Sequence, residues 1–207
     1  DEAGWLCAGR RQYLEGDSLH IRGKHNIANA LAAIALCQAI GVDKMSILHT
    51  VQSFKGLPHR VEWVANIDGV DFYDDSKGTN VGATCAAIQG MLKHGKPQKV
   101  VLIAGGDGKG QDFAPLRTAI LQNARAVVLI GRDGPKIQHS LQDCQLPVVD
   151  AVDLTAAVSV AKTLAESGDA VLLSPACASF DMFRNYEHRA QVFVDAVKAL
   201  EAACLVL

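Results

Sequence analysis

Residues 74–84, with the sequence DDSKGTNVGAT, gather two carboxylates, one lysine and two threonines in one short segment. Alternating apolar and polar residues before Asp75 predict a half-buried strand, and the apolar spacing after Thr79 predicts a helix. A helix amino terminus attracts anions because its N–H groups are unpaired and its dipole end is positive. With the charge of Lys77, the hydroxyl of Thr79 and the acceptor Asp75, this junction predicts a site for a phosphorylated or carboxylated ligand.

The glycine-rich segment GGDGKGQD, residues 105–112, offers a second group for an anion. It is not a phosphate loop of the form G-x-x-x-x-G-K-[ST], because Gly110 stands where that loop needs a hydroxyl for magnesium. The glycines still allow the backbone to approach a ligand, and Lys109 brings a positive charge for a carboxylate or a phosphate. The alternative interpretation is a flexible turn with a solvated lysine.

A third polar segment, SPACASFDMFRNYEHR, spans residues 174–189. Ser179 precedes the expected last helix, where its hydroxyl suits either a helix cap or a bound carboxylate. The segment lacks the G-x-S-x-G form of a serine nucleophile. Cys177 has no evident His or Asn partner that would make it a nucleophile. The segment therefore predicts binding rather than nucleophilic catalysis.

Two further segments carry groups that suit a nucleotide. In GKHNIAN, Asn26 and Asn29 stand three positions apart on one face of an expected helix, where they suit an adenine edge or a helix cap. In LPHR, Arg60 follows an expected interruption of secondary structure, and its guanidinium suits a phosphate or a salt bridge. From the segments alone, nucleotide binding cannot be distinguished from a helix cap in the first case or from a salt bridge in the second.

The elements that must position these groups alternate between strands and helices. Continuous apolar runs predict buried strands at residues 99–106, 126–131, 146–150 and 170–175. Helical spacing predicts helices near 80–94, 113–124, 135–142, 153–167 and 185–204, and Asp68–Gly69 predicts a hairpin turn. This alternation is typical of an α/β fold with a doubly wound, mostly parallel sheet. Ligands bind such sheets outside the carboxyl ends of the strands, where the three polar segments lie.

The first quarter of the chain has a different organisation. Short β-like segments occupy residues 1–22, and helical spacing follows at residues 26–40 and 44–54. Gly56 and Pro58 then interrupt the pattern. We therefore expect residues 1–55 to be an incomplete piece of a second α/β domain and residues 56–207 to be a Rossmann-like domain.

Composition argues against several classes of protein. The net charge of −2 gives no electrostatic reason to bind nucleic acid or an anionic membrane. No apolar run approaches the roughly 20 residues that cross a bilayer, and the first residues, DEAGWLCAGR, do not resemble a secretory signal. Six scattered cysteines predict reduced thiols in the cytoplasm and no metal site. The missing initiator Met suggests a fragment, a processed product or an engineered product.

Five segments of the chain together resemble the Mur ligases of peptidoglycan synthesis. They are GKHNIANALAA, GLPHRVEWV, DDSKGTNVGAT, AGGDGKGQDF and LLSPACASFDMFRNYEHR, in the order and spacing of that family. The form D-S-K-G-T-N is similar to the branch of the family that adds D-glutamate. The resemblance covers about residues 19–190, almost the whole chain.

The resemblance implies an ATP-dependent carboxylate–amine ligase. ATP would phosphorylate the terminal carboxylate of UDP-MurNAc-L-alanine, and the amine of D-glutamate would attack the acyl phosphate. By motif, Asn26 and Asn29 would contact adenine, Arg60 the phosphates and Asp75 the ribose, while Lys77 and Arg60 would stabilise the transferred phosphoryl group. The D-glutamate carboxylates would be held by Thr79, Lys109, Ser179, the backbone of Phe180, and Tyr186.

The resemblance also implies that much of the ligase lies outside this chain. The family's phosphate loop, its magnesium-binding Glu and His and its modified lysine are not found here, so we expect ATP and Mg²⁺ as cofactors without a metal ligand in residues 1–207. We expect the chain alone to be inactive and to self-associate through an apolar face of the helix at 26–40.

The full-length enzyme is expected to be a monomeric cytoplasmic ligase that serves cell wall biogenesis, cell shape and cell division. One alternative is a ligase similar to folylpolyglutamate synthase, which also adds a glutamate. The other is a non-catalytic module that binds an anion or a nucleotide.

Overall fold

The chain forms two compact units in a computed structural model, Asp1–Leu57 and Pro58–Leu207. The structure describes residues 5–8, 11–21, 24–91 and 99–204. The sequence-based boundary after residue 55 lies close to the division between the units.

The first unit is a hairpin with two helices. Strands β1 (Trp5–Ala8) and β2 (Arg11–Glu15) pair antiparallel, and helices α1 (Lys24–Ala39) and α2 (Lys44–Ser53) follow. Asp43 caps α2, because its carboxylate accepts the N–H of Ser46 at 2.9 Å. On α1, Ile34 is buried, whereas Leu31 is 36% exposed. The core of the unit consists of Leu6, Leu14, Leu19, Ala30, Ile34 and Ile47.

A six-stranded sheet forms the centre of the second unit. Its strands are β3 (Glu62–Ile67), β4 (Val70–Asp74), β5 (Val100–Gly105), β6 (Ala124–Ile130), β7 (Val148–Asp150) and β8 (Ala170–Leu173). Their order is β3-β4-β8-β5-β6-β7, and only β3 runs antiparallel to its neighbour. The β3–β4 turn has Asp68 and Gly69 at φ 50° and 80°, which is typical of a tight hairpin turn. The predicted hairpin and mostly parallel sheet are confirmed.

Helices cover both faces of this sheet. They are α3 (Val81–Gly90), α4 (Leu116–Asn123), α5 (Gly134–Ser140), α6 (Leu154–Leu164) and α7 (Tyr186–Cys204). Successive strand residues enter opposite cores: Leu102 packs with α3, α4 and α5, whereas Val101 and Ile103 pack with α6 and α7. Burial on both faces explains why the strands are continuously apolar. The predicted helix at 80–94 ends at Gly90, and residues 92–94 lie outside the described residues.

Strand β8 occupies the position that creates the candidate site. The chain passes from β4 to β5 without pairing them, and β8 later enters between the two. The segment after β8 can therefore contact the segments after β4 and β5 on its two sides. None of the helices in the described part of the chain has the length and apolar character needed to cross a bilayer.

A buried carboxylate holds the opposite end of the sheet together. Asp169, just before β8, is 3% exposed and pairs with Arg125 of β6. It also accepts the backbone N–H groups of Lys99 and Glu166 at 3.3 and 2.9 Å. One side chain thus joins the starts of three neighbouring strands.

Replacing Asp169 with alanine is expected to lower the free energy of unfolding by about 3 kcal/mol, because Arg125 and the N–H groups of Lys99 and Glu166 would lose a buried acceptor. The control is Asp143→Ala, which removes a surface pair with Arg117 at 3.3 Å and should cost less than about 1 kcal/mol. Urea unfolding followed by circular dichroism measures both. Equal losses in the two variants would contradict the structural role of Asp169.

Candidate functional site

Three segments meet at the carboxyl edge of the sheet, and we call them the rim loops. They are the β4–α3 loop (residues 75–80), the β5–α4 loop (106–115) and the β8–α7 loop (174–185). The N–H of Ala176 donates to Gly78 O at 2.9 Å, which joins the first to the third. Asp107 and Ala178 exchange two backbone hydrogen bonds of 3.0 and 2.8 Å, which joins the second to the third.

Glycine is required where the strand ends approach most closely. Gly105 and Gly106 have φ near +125°, a conformation that side chains rarely adopt. A Cβ at Gly105 would overlap Ile130 O, and one at Gly106 would overlap Ala178 O. These two glycines therefore allow three strand ends to pack together, which is a different role from cradling a phosphate.

Asp74, at the end of β4, serves the scaffold rather than a ligand. Its side chain is buried, and its Oδ1 accepts the N–H and the hydroxyl of Ser76 at 2.9 and 2.6 Å. Its Oδ2 lies 2.7 Å from Nδ1 of His59. The backbone of His59 then accepts the N–H of Lys77 at 3.1 Å. This network fixes the backbone from which Lys77 projects.

Asp75 is a buried carboxyl group with an unusual charge balance. It is 6% exposed, and its Oδ2 accepts the hydroxyl of Ser174 at 2.6 Å. Burial raises the pKa of Asp75 to about 7, and neighbouring Asp74 adds to the rise. Hydrogen bonds from Ser174 and from the Val61 amide, and the charge of Arg60, lower this pKa without cancelling the effect of burial.

Lys77 is paired with the ring of Tyr186. The Lys77 ammonium lies 3.8 Å from the ring centroid, a cation–π distance. The ring of His59 meets the same tyrosine edge-on, with centroids 6.0 Å apart. Thr79 is half-buried two residues further along, next to Asn80, which caps α3. The structure thus brings together Lys77 and Tyr186, which are far apart in the sequence.

Lys109 and Ser179 lie close to the Asp107–Ala178 pair. Lys109 is exposed, has φ 52°, and donates its backbone N–H to the Asp107 carboxylate at 2.9 Å. Ser179 is buried and directly follows Ala178, and Phe180 beside it is 74% exposed. Of the two interpretations of Ser179, the cap of the last helix is wrong. That helix begins at Tyr186, and the Asn185 side chain accepts the N–H of His188 at 2.7 Å.

The nucleotide residues from the sequence are distributed over both units. Arg60 is exposed at the start of the second unit, and Asn26 and Asn29 belong to α1 of the first. Asn29 donates to the Asn26 side chain at 3.4 Å. Because α1 begins at Lys24, neither asparagine is its N-cap. Adenine binding by this pair stays a prediction.

Sequence analysis missed a buried arginine beneath the rim loops. Arg189 of α7 is fully buried and donates to Ser76 O at 2.9 Å and to Cys177 O at 3.2 Å. Burial lowers its pKa to about 10. Its spacing from Phe193 and Val197 places it on the apolar face of α7, and this was the signal that could have identified it.

Two groups of residue types that are often reactive or metal-binding have a structural role here. Cys177 is fully buried, and burial raises the pKa of its thiol to about 12, which disfavours the nucleophilic thiolate. Among the described residues, the ligand atoms of His59, Glu62 and Asp74 lie within 4.8 Å of one another, as in a metal site. Their polar atoms already have hydrogen-bond partners, since Glu62 Oε2 accepts the backbone N–H of His59 at 2.9 Å and Asp74 contacts the imidazole.

Comparison with known proteins identifies the family. The family model described as Mur ligase, glutamate ligase domain, matches residues 59–177, more than half of the chain. The chain belongs to the Mur ligase family. This confirms the resemblance drawn from the five segments, and the matched range contains all three strand ends that carry the rim loops.

A curated relative within the Mur ligase family is the UDP-N-acetylmuramoylalanine–D-glutamate ligase of Ralstonia nicotianae. It is 59% identical over 192 residues, which cover 93% of this chain and 38% of the relative. The chain spans about two fifths of the length of the curated relatives that it matches. The similarity is therefore high but concerns one portion of those proteins.

Solved structures show the same fold. The UDP-N-acetylmuramate–alanine ligase of Thermotoga maritima superposes with a TM-score of 0.66 at 22% identity. The superposition covers 87% of this chain and 39% of the ligase. The folylpolyglutamate synthase of Mycobacterium tuberculosis, complexed with ADP, has a TM-score of 0.66 at 17% identity, with coverages of 84% and 41%. The Mur ligase fold expected from the sequence is thus confirmed.

The raised pKa of Asp75 predicts a pH-dependent stability. The folded state keeps a proton on this group up to a pH near 7, whereas the unfolded chain releases it near the ordinary aspartate pKa of 3.8. The stability that the folded state gains from protonated Asp75 is therefore fully present below about pH 4, and it is lost as the pH rises through 7. Asp75→Asn should unfold with a free energy higher than that of the wild type by on the order of 2 kcal/mol at pH 8, and the difference should shrink at pH 5.

Denaturant unfolding at pH 5 and pH 8 measures this difference, with the exposed Asp150→Asn as the matched control. The control should show no comparable dependence on pH. A difference between Asp75→Asn and the wild type that is the same at both pH values would refute the assignment of a raised pKa.

Proposed function

We propose that the chain is the carboxy-terminal portion of an ATP-dependent ligase that joins D-glutamate to UDP-MurNAc-L-alanine. The reaction would proceed through an acyl phosphate and would supply a peptidoglycan precursor for cell wall biogenesis, cell shape and cell division in the cytoplasm. The observation that carries the proposal is the gathering of cationic and hydroxyl groups on hydrogen-bonded loops at one edge of the sheet. The name of the Ralstonia nicotianae relative supports the choice of substrates.

D-Glutamate suits the groups on the rim loops. It carries two carboxylates, and charge-assisted hydrogen bonds are the strongest that a protein offers them. We assign Lys109, Thr79, Ser179 and the N–H of Phe180 to these carboxylates. The ring of Tyr186 holds the Lys77 ammonium by a cation–π contact. In this proposal, the ammonium so held contacts the bound amino acid.

The same edge suits the ATP-dependent step. A transferring phosphoryl group spreads negative charge over its oxygens, and fixed cations stabilise that charge. We assign Lys77 and Arg60 to this role and Asp75 to the ribose. For Asn26 and Asn29, which belong to the first unit, we propose contact with adenine from their sequence motif. Nucleotide use is supported by the ADP in the folylpolyglutamate synthase structure.

The remaining parts of the catalytic apparatus belong, in this proposal, to residues outside this chain. The sequence has no G-K-[ST] phosphate loop, and the one metal-like group among the described residues is already engaged in its own hydrogen bonds. We therefore assign residues 1–55 to the end of a central ATPase domain, and the Mg²⁺ ligands to the missing part of it. The full-length ligase would act as a monomer.

The second candidate is a ligase that adds L-glutamate, similar to folylpolyglutamate synthase. The likeness to the Mycobacterium tuberculosis structure favours it at the level of fold alone, at 17% identity. Against it stands the 59% identity with a D-glutamate ligase. A non-catalytic anion-binding module would have the same rim loops. It would catalyse no reaction and would therefore show no preference between D- and L-glutamate as substrates.

Calorimetric titration of the chain with D- and L-glutamate separates these candidates. We expect D-glutamate to bind more tightly than L-glutamate, and Lys109→Ala to weaken the D form at least about tenfold because a charged partner is lost. Lys198→Ala, at an exposed position on α7, is the control that should bind as the wild type does. Preference for L-glutamate would reject the proposal.

Turnover requires the missing part of the ligase. Joined to the amino-terminal portion of the Ralstonia nicotianae relative, the chain should release phosphate only with ATP, UDP-MurNAc-L-alanine and D-glutamate together, and alone it should release none. In the joined protein, Lys77→Met should lower kcat by about a hundredfold or more, whereas Lys198→Met should not. Phosphate release by the isolated chain would refute its assignment as an incomplete ligase.

A further inference from the structure

One side chain, that of Gln111, links its own rim loop to the β8–α7 loop and to the start of α3. Its Nε2 donates to Gly108 O at 3.0 Å in its own loop and to Ala176 O at 2.7 Å in the β8–α7 loop. Its Oε1 accepts the N–H of Val81, the first residue of α3, at 3.0 Å. A single carboxamide therefore connects two rim loops with the helix that follows the third.

The chemistry of the contacts leaves only one residue type and one orientation. A carboxamide has two N–H donors and a carbonyl acceptor, and here both donors and the acceptor are used. Rotating the amide by half a turn would set its oxygen against two carbonyl oxygens. Glutamate at this position would have no donor for either carbonyl, and methionine would fill the space without any of the three bonds.

The loop that Gln111 closes is rich in glycine, and hydrogen bonds from several sides hold it in place. Gly106, Gly108 and Gly110 alternate in it, and glycine loses more conformational freedom on ordering than any other residue. Lys109 stands between two of them, with an exposed side chain. Gly108 is held on one side by the Asp133 carboxylate at 2.7 Å and on the other by Gln111. Together these bonds determine where the Lys109 ammonium can reach.

We propose that Gln111 is a positioning residue for the amino-acid substrate. By joining the Lys109 loop to Ala176 and to the start of α3, it sets the distance between Lys109, Ser179 and Thr79. Preorganised groups bind a ligand without the cost of ordering them at that moment. This inference rests on the proposed function, because it takes D-glutamate as the ligand that spans these three groups.

The test uses the joined ligase described above, with Gln111→Met, Gln111→Glu and the control Gln142→Met at an exposed position. We expect Gln111→Met to raise the KM for D-glutamate about tenfold, with the KM for ATP changed less than about twofold. The melting temperature should fall by only a few degrees, roughly as the loss of three hydrogen bonds predicts. Gln111→Glu should raise the KM for D-glutamate further, because its charge repels both carbonyls and the dicarboxylate.

The outcomes separate the two proposals. An unchanged KM for D-glutamate in Gln111→Met, with an active wild type, would overturn the role of Gln111 and leave the proposed function intact. A parallel change in both KM values, kcat and melting temperature would show a general structural role and would also overturn it. A wild-type joined ligase that does not use D-glutamate would overturn the proposed function and this inference with it.

Discussion

The insertion of β8 between β4 and β5 is the constraint on which the site depends. Because β8 has a parallel neighbour on each side, the loop after it bonds to Gly78 on one side and to Asp107 on the other. Groups that are distant in the sequence become neighbours: Asp75 and Ser174 are 99 positions apart and share a 2.6 Å hydrogen bond. Without this strand order, the polar segments would lie along separate parts of the sheet edge, and no ligand of the size of glutamate could contact them together.

Charged residues at this edge divide into two groups by burial. Asp74 and Arg189 are buried. Asp74 bonds Ser76 and His59, and Arg189 bonds backbone carbonyls, so both residues fix the loops. Lys77 and Lys109 are exposed, and their ammonium groups can meet a ligand. Asp75 is the exception, because it is buried yet has a pKa raised to about 7. A carboxyl group with a pKa in that range gains or loses its proton near neutral pH.

Local patterns predicted the elements well and the long-range contacts poorly. Continuous apolar runs identified the buried strands, and Asp68–Gly69 identified the hairpin, because both signals depend on neighbouring residues. The position of β8 in the sheet depends on packing across the whole unit, and no short segment encodes it. Arg189 and Gln111 were missed for the same reason, since each bonds backbone groups that are remote in the sequence. Ser179 was considered as a cap because the turn between it and α7 could not be seen in the sequence.

In the proposed function, the three rim loops of this Mur ligase family protein bind one D-glutamate molecule together. Titration of the ¹⁵N-labelled chain with D-glutamate, followed by nuclear magnetic resonance, tests this binding. Amide signals of residues 77–80, 107–111 and 178–180 should move together, with one shared affinity. Movement confined to a single loop, or centred away from the carboxyl edge of the sheet, would contradict it.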